Sequence, residues 1–145
     1  MKAFHFPLQK ALELRGRQLE VEEIRYQQRL AEVAELDRKR TEVAASGMRA
    51  EAQVREWRTL ASSDLMALGN FRLRAKNLEA QIRIRQGEAL TVLAAQQQAM
   101  LDARCRCRLL ERLKERRIAE WSEERDHEVE AIAAESYLSR WNREE

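Results

Sequence analysis

The chain has 145 residues, and 36% of them are charged, with 27 lysines and arginines against 25 aspartates and glutamates. An ordinary globular domain has about 25% charged residues, so this composition disfavours a large compact core and favours a thin shape with a narrow apolar seam. The resulting formal charge of +2 points to no particular class of partner.

The placement of proline and glycine predicts long helices. The only proline is Pro7, where it could open a helix, and the four glycines never cluster. From Leu8 to Trp141, apolar residues recur every three or four positions, which is the helical period rather than the alternation of a strand. We therefore expect an all-α fold.

The first helix is predicted at about residues 8–60. Its apolar residues form a heptad seam of two columns, with polar gaps near the start. One column is Leu12, Leu19, Tyr26, Val33, Arg40, Gly47, Val54 and Ala61, and the other is Leu8, Arg15, Glu22, Arg29, Leu36, Val43, Ala50 and Trp57. A turn follows at about residues 61–65, where Ser62, Ser63 or Asp64 could cap a new helix.

The second helix is predicted at about residues 65–142, with a new phase. One column is Leu68, Ala75, Ile82, Ala89, Gln96, Ala103 and Leu110, and the other is Phe71, Leu78, Arg85, Val92, Ala99, Arg106 and Leu113. Packing two such helices together buries both seams. We predict a single elongated domain over residues 1–145, an antiparallel coiled-coil hairpin. The alternative is one continuous helix that dimerises.

The second helix is longer than the first, so its C-terminal part is predicted to overhang from Ile118 onward. This part combines large apolar residues with many acidic ones, a composition typical of a docking surface. Alternatively, Phe4, Phe6 and Leu8 fold over Ile118 and Trp121 and close the end of the hairpin.

A basic stripe precedes the overhang. Arg104, Arg108, Arg112 and Arg116 are spaced by four, so they follow one side of the helix. The stripe could meet an acidic protein, nucleic acid or anionic lipid. Alternatively, it is a solvated face answered by Glu13, Glu20, Glu22 and Glu23 of the opposing helix.

No catalytic, metal or cofactor motif is found. Glu124-x-x-His127 has di-iron spacing but lacks the further ligands that such a site needs. Cys105 and Cys107 should point to opposite sides of a helix as inert thiols. No stretch has the ~18 apolar residues of a membrane span, and the N-terminus lacks a signal-peptide pattern, so we expect a cytosolic protein that is not an enzyme.

The opening Phe4-x-Phe6-x-Leu8-Gln9-x-x-Leu12-x-x-Arg15 resembles the start of the FliJ family, small helical proteins of the bacterial flagellar type III export apparatus. The segment Leu110-Glu-Arg-Leu113-Lys-Glu-Arg-Arg117, with the acidic stretch through Trp121 and Glu128 to Ile132, resembles the family's C-terminal arm. The likeness covers most of the chain.

This resemblance implies a non-enzymatic stalk that binds the hexameric flagellar export ATPase, promotes its assembly and links it to the export gate at the inner membrane. Export chaperones are further partners to consider, and the resemblance does not say which. Combined with the predicted overhang, it leads us to expect ATPase contacts at Leu8, Leu12, Arg15, Arg104, Arg108, Arg112, Arg116, Ile132 and Leu138.

The family's gate-contacting surface would correspond to Phe71, Leu78, Ile82 and Arg85, although Phe71 precedes Leu78 by a wider interval than the pattern requires. The alternative for these residues is plain core. Three alternatives to a flagellar stalk also stay open: the stalk of a virulence secretion system, a generic coiled-coil adaptor, and a basic nucleic-acid-binding rod. The last is disfavoured because no aromatic residues interleave the basic stripe.

Overall fold

The computed structural model describes residues 2–144, and within this range it contains two α-helices and no strand. Helix α1 is Gln9–Glu56, with 48 residues, and α2 is Ser62–Glu144, with 83 residues. Neither helix contains proline, so no helical hydrogen bond is lost along either one. The two helices contact each other, which confirms the predicted all-α hairpin.

The first helix begins just after Pro7. The Gln9 amide donates to the Phe6 carbonyl at 3.1 Å, and the Leu12 amide donates to the Leu8 carbonyl at 2.9 Å. Proline has no amide hydrogen, and at the start of a helix that hydrogen has no intrahelical acceptor in any case. The proline therefore costs the helix nothing here.

The connection between the helices comprises residues 57–61, earlier than the predicted 61–65. The Asp64 carboxylate accepts a hydrogen bond from the Ala61 amide at 3.1 Å. In return, the Ala61 carbonyl accepts from the amides of Asp64 at 3.0 Å and Leu65 at 3.3 Å. Asp64 thus supplies the acidic half of a capping box from inside the first turn, and this is why α2 starts before the predicted residue 65.

Contacts group the chain into two compact units. Unit 1 combines Met1–Glu20 with Asp102–Glu145, and unit 2 is Val21–Leu101. Each unit contains a segment of α1 and a segment of α2. The prediction of a single elongated domain stays a prediction.

Few side chains are fully covered. The buried apolar residues of the described chain are Phe6, Ile82, Met100 and Cys107. In α1, both predicted seam columns are half-buried from Leu12 to Val54, whereas Leu8, Trp57 and Ala61 at the ends of the columns are exposed. The α1 seam is therefore confirmed over the length of the helix.

In α2, one predicted column is confirmed and the other is wrong. The column from Leu68 to Leu110 is covered, but its companion is exposed from Phe71 to Arg106. The second covered column lies one residue later: Glu79, Gln86, Leu93, Met100, Cys107 and Lys114. Heptads alternate steps of three and four, so periodicity in one helix permits either column. The observed one has three successive apolar members, Leu93, Met100 and Cys107, whereas the predicted one carries two arginines.

Polar side chains connect the two helices of unit 2. Arg72 Nε donates to Glu51 Oε1 at 2.9 Å, and Gln86 Nε2 donates to Asp37 Oδ1 at 3.4 Å. The second pair lies nearer the N-terminus in α1, at Asp37, and nearer the C-terminus in α2, at Gln86. These pairs therefore show that the helices of unit 2 run antiparallel.

A third polar contact lies deeper in the seam of unit 2. Gln96 Nε2 donates to the Glu22 backbone carbonyl at 3.3 Å and also to the Glu22 carboxylate, and both hydrogen bonds are partly buried. A Gln96 displaced by one heptad would face Arg15 or Arg29 in place of Glu22 and would lose the carboxylate acceptor. In coiled coils, one such polar seam residue can specify the register of the helices.

Substitutions at Ile82 and Leu78 test the observed seam. Ile82 is 5% exposed and Leu78 is 47% exposed. We expect Ile82→Ala to lower the free energy of unfolding by about 2–5 kcal/mol, because it removes buried methyl groups. Leu78→Ala should change it by less than about 1 kcal/mol, as is usual at exposed positions. Urea unfolding followed by helical circular dichroism measures both, and equal losses would contradict the observed seam.

Candidate functional site

All the residues predicted to contact the ATPase fall in unit 1. Leu12 and Arg15 are half-buried seam residues of α1, and Arg15 donates to the Gln18 side chain at 3.0 Å. The other predicted residues are exposed: Leu8, Arg104, Arg108, Arg112, Arg116, Ile132 and Leu138. Unit 1 therefore presents two candidate surfaces on α2, the basic stripe and the C-terminal overhang.

The N-terminal segment folds against Trp121. The Trp121 indole nitrogen donates to the Lys2 carbonyl at 3.2 Å, and the Phe4 ring meets the indole edge-on with centroids 6.0 Å apart. The Arg125 guanidinium lies 5.5 Å from the centroid of the indole ring. We call Lys2, Phe4, Trp121 and Arg125 the N-terminal clasp. Each contact is weak, but together they leave Trp121 only partly exposed.

The clasp corrects the predicted start of the overhang. The prediction left every residue from Ile118 onward without an intramolecular partner, whereas Trp121 and Arg125 are half-buried. Residues 2–6 precede α1 and fold over this part of α2, as the alternative interpretation of Phe4 and Trp121 expected. We therefore define the overhang as residues 126–143, all of which are exposed.

The overhang exposes several large apolar side chains. Its large apolar side chains are 57–64% exposed: Val129, Ile132, Tyr137, Leu138 and Trp141. The rings of Tyr137 and Trp141 lie near each other, with centroids 6.3 Å apart. Single exposed apolar residues are common, but a group of this size on one helical arm is typical of a surface that binds another protein.

The basic stripe includes three arginines that have no partner among the described residues. Arg108, Arg112 and Arg116 are exposed and form no ion pair or hydrogen bond with a described residue. Some other exposed arginines form ion pairs with a carboxylate: Arg38 contacts Glu35 at 2.8 Å, and Arg117 contacts Glu120 at 2.9 Å. The three stripe arginines therefore leave fifteen N–H donors to solvent or to a partner.

The alternative interpretation of the stripe expected acidic residues of the first helix to answer it. Two of those residues have other partners. Glu13 accepts a hydrogen bond from Gln9 at 3.2 Å, and Glu22 accepts from Arg25 at 3.1 Å and also from Gln96. Glu13 and Glu22 therefore do not pair with Arg108, Arg112 or Arg116.

The predicted gate-contacting residues meet at one groove in unit 2. Phe71, Leu78, Ile82 and Arg85 all line a groove of about 690 Å³, together with Leu36 and Val43 of α1. Basic side chains at its edge are Lys39, Arg49, Arg74 and Arg85, and the acidic one is Glu42. The sequence did not reveal that α1 forms a wall of the groove, because heptad columns give no cross-helix register.

These four residues divide between core and surface. Ile82 is in the core, whereas Phe71 is 37% exposed and Leu78 is 47% exposed. Phe71 also lines a second groove with Gly47 and Met48. The interpretation of all four as plain core is therefore wrong for Phe71 and Leu78, and their binding of an export gate stays a prediction.

The two thiols differ in environment, in line with the expectation that they point to opposite sides. Cys105 is exposed and Cys107 is buried. Burial raises the pKa of the Cys107 thiol, and the Glu111 carboxylate, which accepts its hydrogen bond at 3.8 Å, raises it further. The raised pKa keeps Cys107 protonated and unreactive at neutral pH.

Residues 2–144 contain no group of three His, Cys, Asp or Glu side chains arranged to hold a metal ion. Over the same residues, neither helix has a stretch that is long and apolar enough to cross a membrane.

No family model, curated protein or solved structure matches the chain. Its function is therefore inferred from the residues themselves.

Phe4→Ala tests the N-terminal clasp. Without the Phe4 ring, the indole should lose its edge contact, and we expect Trp121 to become more accessible to water. Acrylamide quenching of tryptophan fluorescence measures this, in a Trp57→Phe/Trp141→Phe background that leaves Trp121 as the only emitter. His5→Ala is a matched control, because His5 is an exposed neighbour. Equal quenching of Trp121 in the Phe4→Ala and His5→Ala variants would contradict the clasp.

Proposed function

We propose that this protein is a stalk-like component of flagellar protein export, which binds and organises the hexameric export ATPase and couples it to the membrane export gate. The single observation that carries the proposal is that the unpaired Arg108, Arg112 and Arg116 lie on the same helix of unit 1 as an uncovered apolar overhang. The chain itself catalyses no reaction in this proposal.

Two independent lines support it. The first is the resemblance of the N-terminal motif and of the Leu110–Arg117 segment to the FliJ family. The second is the hairpin, in which α2 extends past the N-terminal clasp. The apolar side chains of this overhang are exposed, and covering them with a partner would be favourable. A ring pore could cover such an arm, and acidic groups on the ring could pair with Arg108, Arg112 and Arg116.

The groove of unit 2 supports the gate contact. Its exposed apolar wall, Phe71 and Leu78, and its basic edge suit a protein segment with apolar and acidic side chains. In this proposal the protein works in the cytoplasm and associates peripherally with the export apparatus at the inner membrane.

Charge reversal of the stripe tests the ATPase contact. We expect the wild-type chain to raise both the hydrolysis rate and hexamer formation of the same organism's monomeric export ATPase. Arg108→Glu/Arg112→Glu should reduce both effects at least about tenfold, since it replaces attraction by like-charge repulsion. Hydrolysis assays and analytical ultracentrifugation during one titration measure the two effects.

The matched control for this titration is Arg55→Glu/Arg58→Glu, which changes the net charge equally at exposed positions of unit 2. Circular dichroism verifies that every variant is helical. Loss of activity in the control as well would mean that net charge, not the stripe, acts on the ATPase. No effect of the wild-type chain would contradict the proposed function and favour a generic coiled-coil adaptor.

Phe71→Ala tests the gate contact. Because Phe71 lies at the edge of the seam and not within it, we expect a loss in unfolding free energy below the roughly 3–5 kcal/mol typical of a buried phenylalanine. Export of flagellar proteins should nevertheless fall in cells that carry the variant. Export is measured by the amount of secreted subunit, with Leu73→Ala, at an exposed position of α2, as the control. Normal export with Phe71→Ala would contradict this role.

A further inference from the structure

The outward side of α2 in unit 1 carries charge of both signs. Arg112 lies two positions from the half-buried Leu110 and Lys114, which places it about 160° around the helix from each. Ala119 lies two positions before the half-buried Trp121 and so is also about 160° around the helix from it. Arg112, Ala119 and Asp126 are spaced by seven and so follow one line along the helix, opposite the seam.

Basic residues predominate before Ala119 along this line, and acidic residues follow it. Arg108, Arg112 and Arg116 precede Ala119 together with Glu115, and Glu123, Asp126 and Glu130 follow it, all of them exposed. Arg112 and Asp126 are each seven residues from Ala119, about 10.5 Å along the axis. Arg116 and Glu123 are also seven residues apart and share a second line. The charges of this face are therefore complementary to those of the same face on a second, antiparallel copy of the helix.

We propose that two copies of this chain associate antiparallel through this face, with Ala119 near the two-fold axis. In that arrangement Arg112 of each copy pairs with Asp126 of the other, and Arg116 pairs with Glu123. Isologous contacts of this kind form each pair twice. The alanine at the centre has a small side chain, which lets the two helices approach closely.

The charges of this face favour a second copy over another occupant. Glu123 has no ion pair or hydrogen bond with a described residue, as is also true of Arg116, so neither has to leave an intramolecular partner. Asp126 already contacts Arg125 at 2.8 Å, and its contribution to the interface is smaller for that reason. The pair Arg116–Glu123 therefore carries most of the attraction.

This inference goes beyond the proposed function and does not require it. The dimer covers Arg108, Arg112 and Arg116, the arginines assigned to the ATPase contact. The dimer and the ring-bound form thus compete for the same surface. Self-association would keep the stripe occupied until a ring with stronger acidic complementarity displaces the second copy.

Two charge reversals test the dimer without any ATPase. Arg116→Glu gives a chain with glutamate at both positions of the pair, and Glu123→Arg gives a chain with arginine at both. Each alone should weaken self-association at least about tenfold, because like charges then face each other. Mixed in equal amounts, the two variants should form a heterodimer, since both of its contacts are again between opposite charges.

Sedimentation velocity of the full chain, with a monomer mass of 17.1 kDa, measures the association at low and high salt with reductant present. The swapped variant Arg116→Glu/Glu123→Arg has the wild-type net charge and should dimerise as the wild type does. Arg106→Glu is the control, because Arg106 lies on another side of the helix. Salt should weaken every dimer, since the pairs are exposed.

A monomeric wild type at low salt would overturn the proposal. So would a wild-type dimer that both reversals leave intact, because the contact would then lie elsewhere on the chain. Failure of the mixed variants to associate would also overturn it. If the stripe instead retained duplex DNA in a salt-dependent way while the wild type stayed monomeric, its partner would be nucleic acid.

Discussion

The hydrogen bonds from Gln96 to the carbonyl and carboxylate of Glu22 are the contact on which the alignment of the helices in unit 2 most depends. Apolar burial there is thin, with Ile82 and Met100 as its buried side chains. Apolar contacts of this kind tolerate a shift of one heptad, since leucine and alanine recur along both seams. The Gln96 amide does not tolerate such a shift, because it would replace Glu22 by Arg15 or Arg29, whose side chains cannot accept its hydrogen bond.

The exposed ion pairs and hydrogen bonds of unit 2 favour the antiparallel orientation of the helices but contribute little to stability. Arg72–Glu51 is a surface contact at 2.9 Å, and such pairs contribute about 0–1 kcal/mol. Their value lies in their order along the two helices, which only an antiparallel arrangement satisfies. A seam that is narrow and partly polar also leaves much of each helix at the surface. That surface includes the groove of unit 2 and the exposed side of α2 in unit 1, the two places where we propose that partners bind.

Much of the fold follows from the sequence, because proline placement and apolar periodicity act locally. These features predicted two helices, the hairpin and the α1 seam from Leu12 to Val54. The second column of α2 was misassigned, since the choice between Val92 and Leu93 as the seam position depends on where α1 lies. The helix boundary near Asp64 was also missed, because a capping box can place its carboxylate inside the helix rather than before it.

The candidate sites were less accessible to sequence reasoning. The spacing of Arg108, Arg112 and Arg116 identified the basic stripe, but only three-dimensional contacts reveal that these arginines lack carboxylate partners. The clasp was foreseen as an alternative from Phe4 and Trp121, whereas the Lys2 carbonyl and the Arg125 guanidinium gave no sequence signal. Backbone acceptors are common to all residues, so their use cannot be predicted from residue type.

The most direct test of the register is disulfide cross-linking in a chain whose two native cysteines are replaced by serine. We expect rapid intramolecular cross-linking of Asp37→Cys/Gln86→Cys, because the native side chains at these positions are in contact. The distance from Gln86 Nε2 to Asp37 Oδ1 is 3.4 Å. Asp37→Cys/Leu93→Cys, displaced by one heptad, should cross-link much more slowly. Intermolecular products from the first pair, or equal rates for both pairs, would contradict an antiparallel hairpin whose register is fixed by polar contacts.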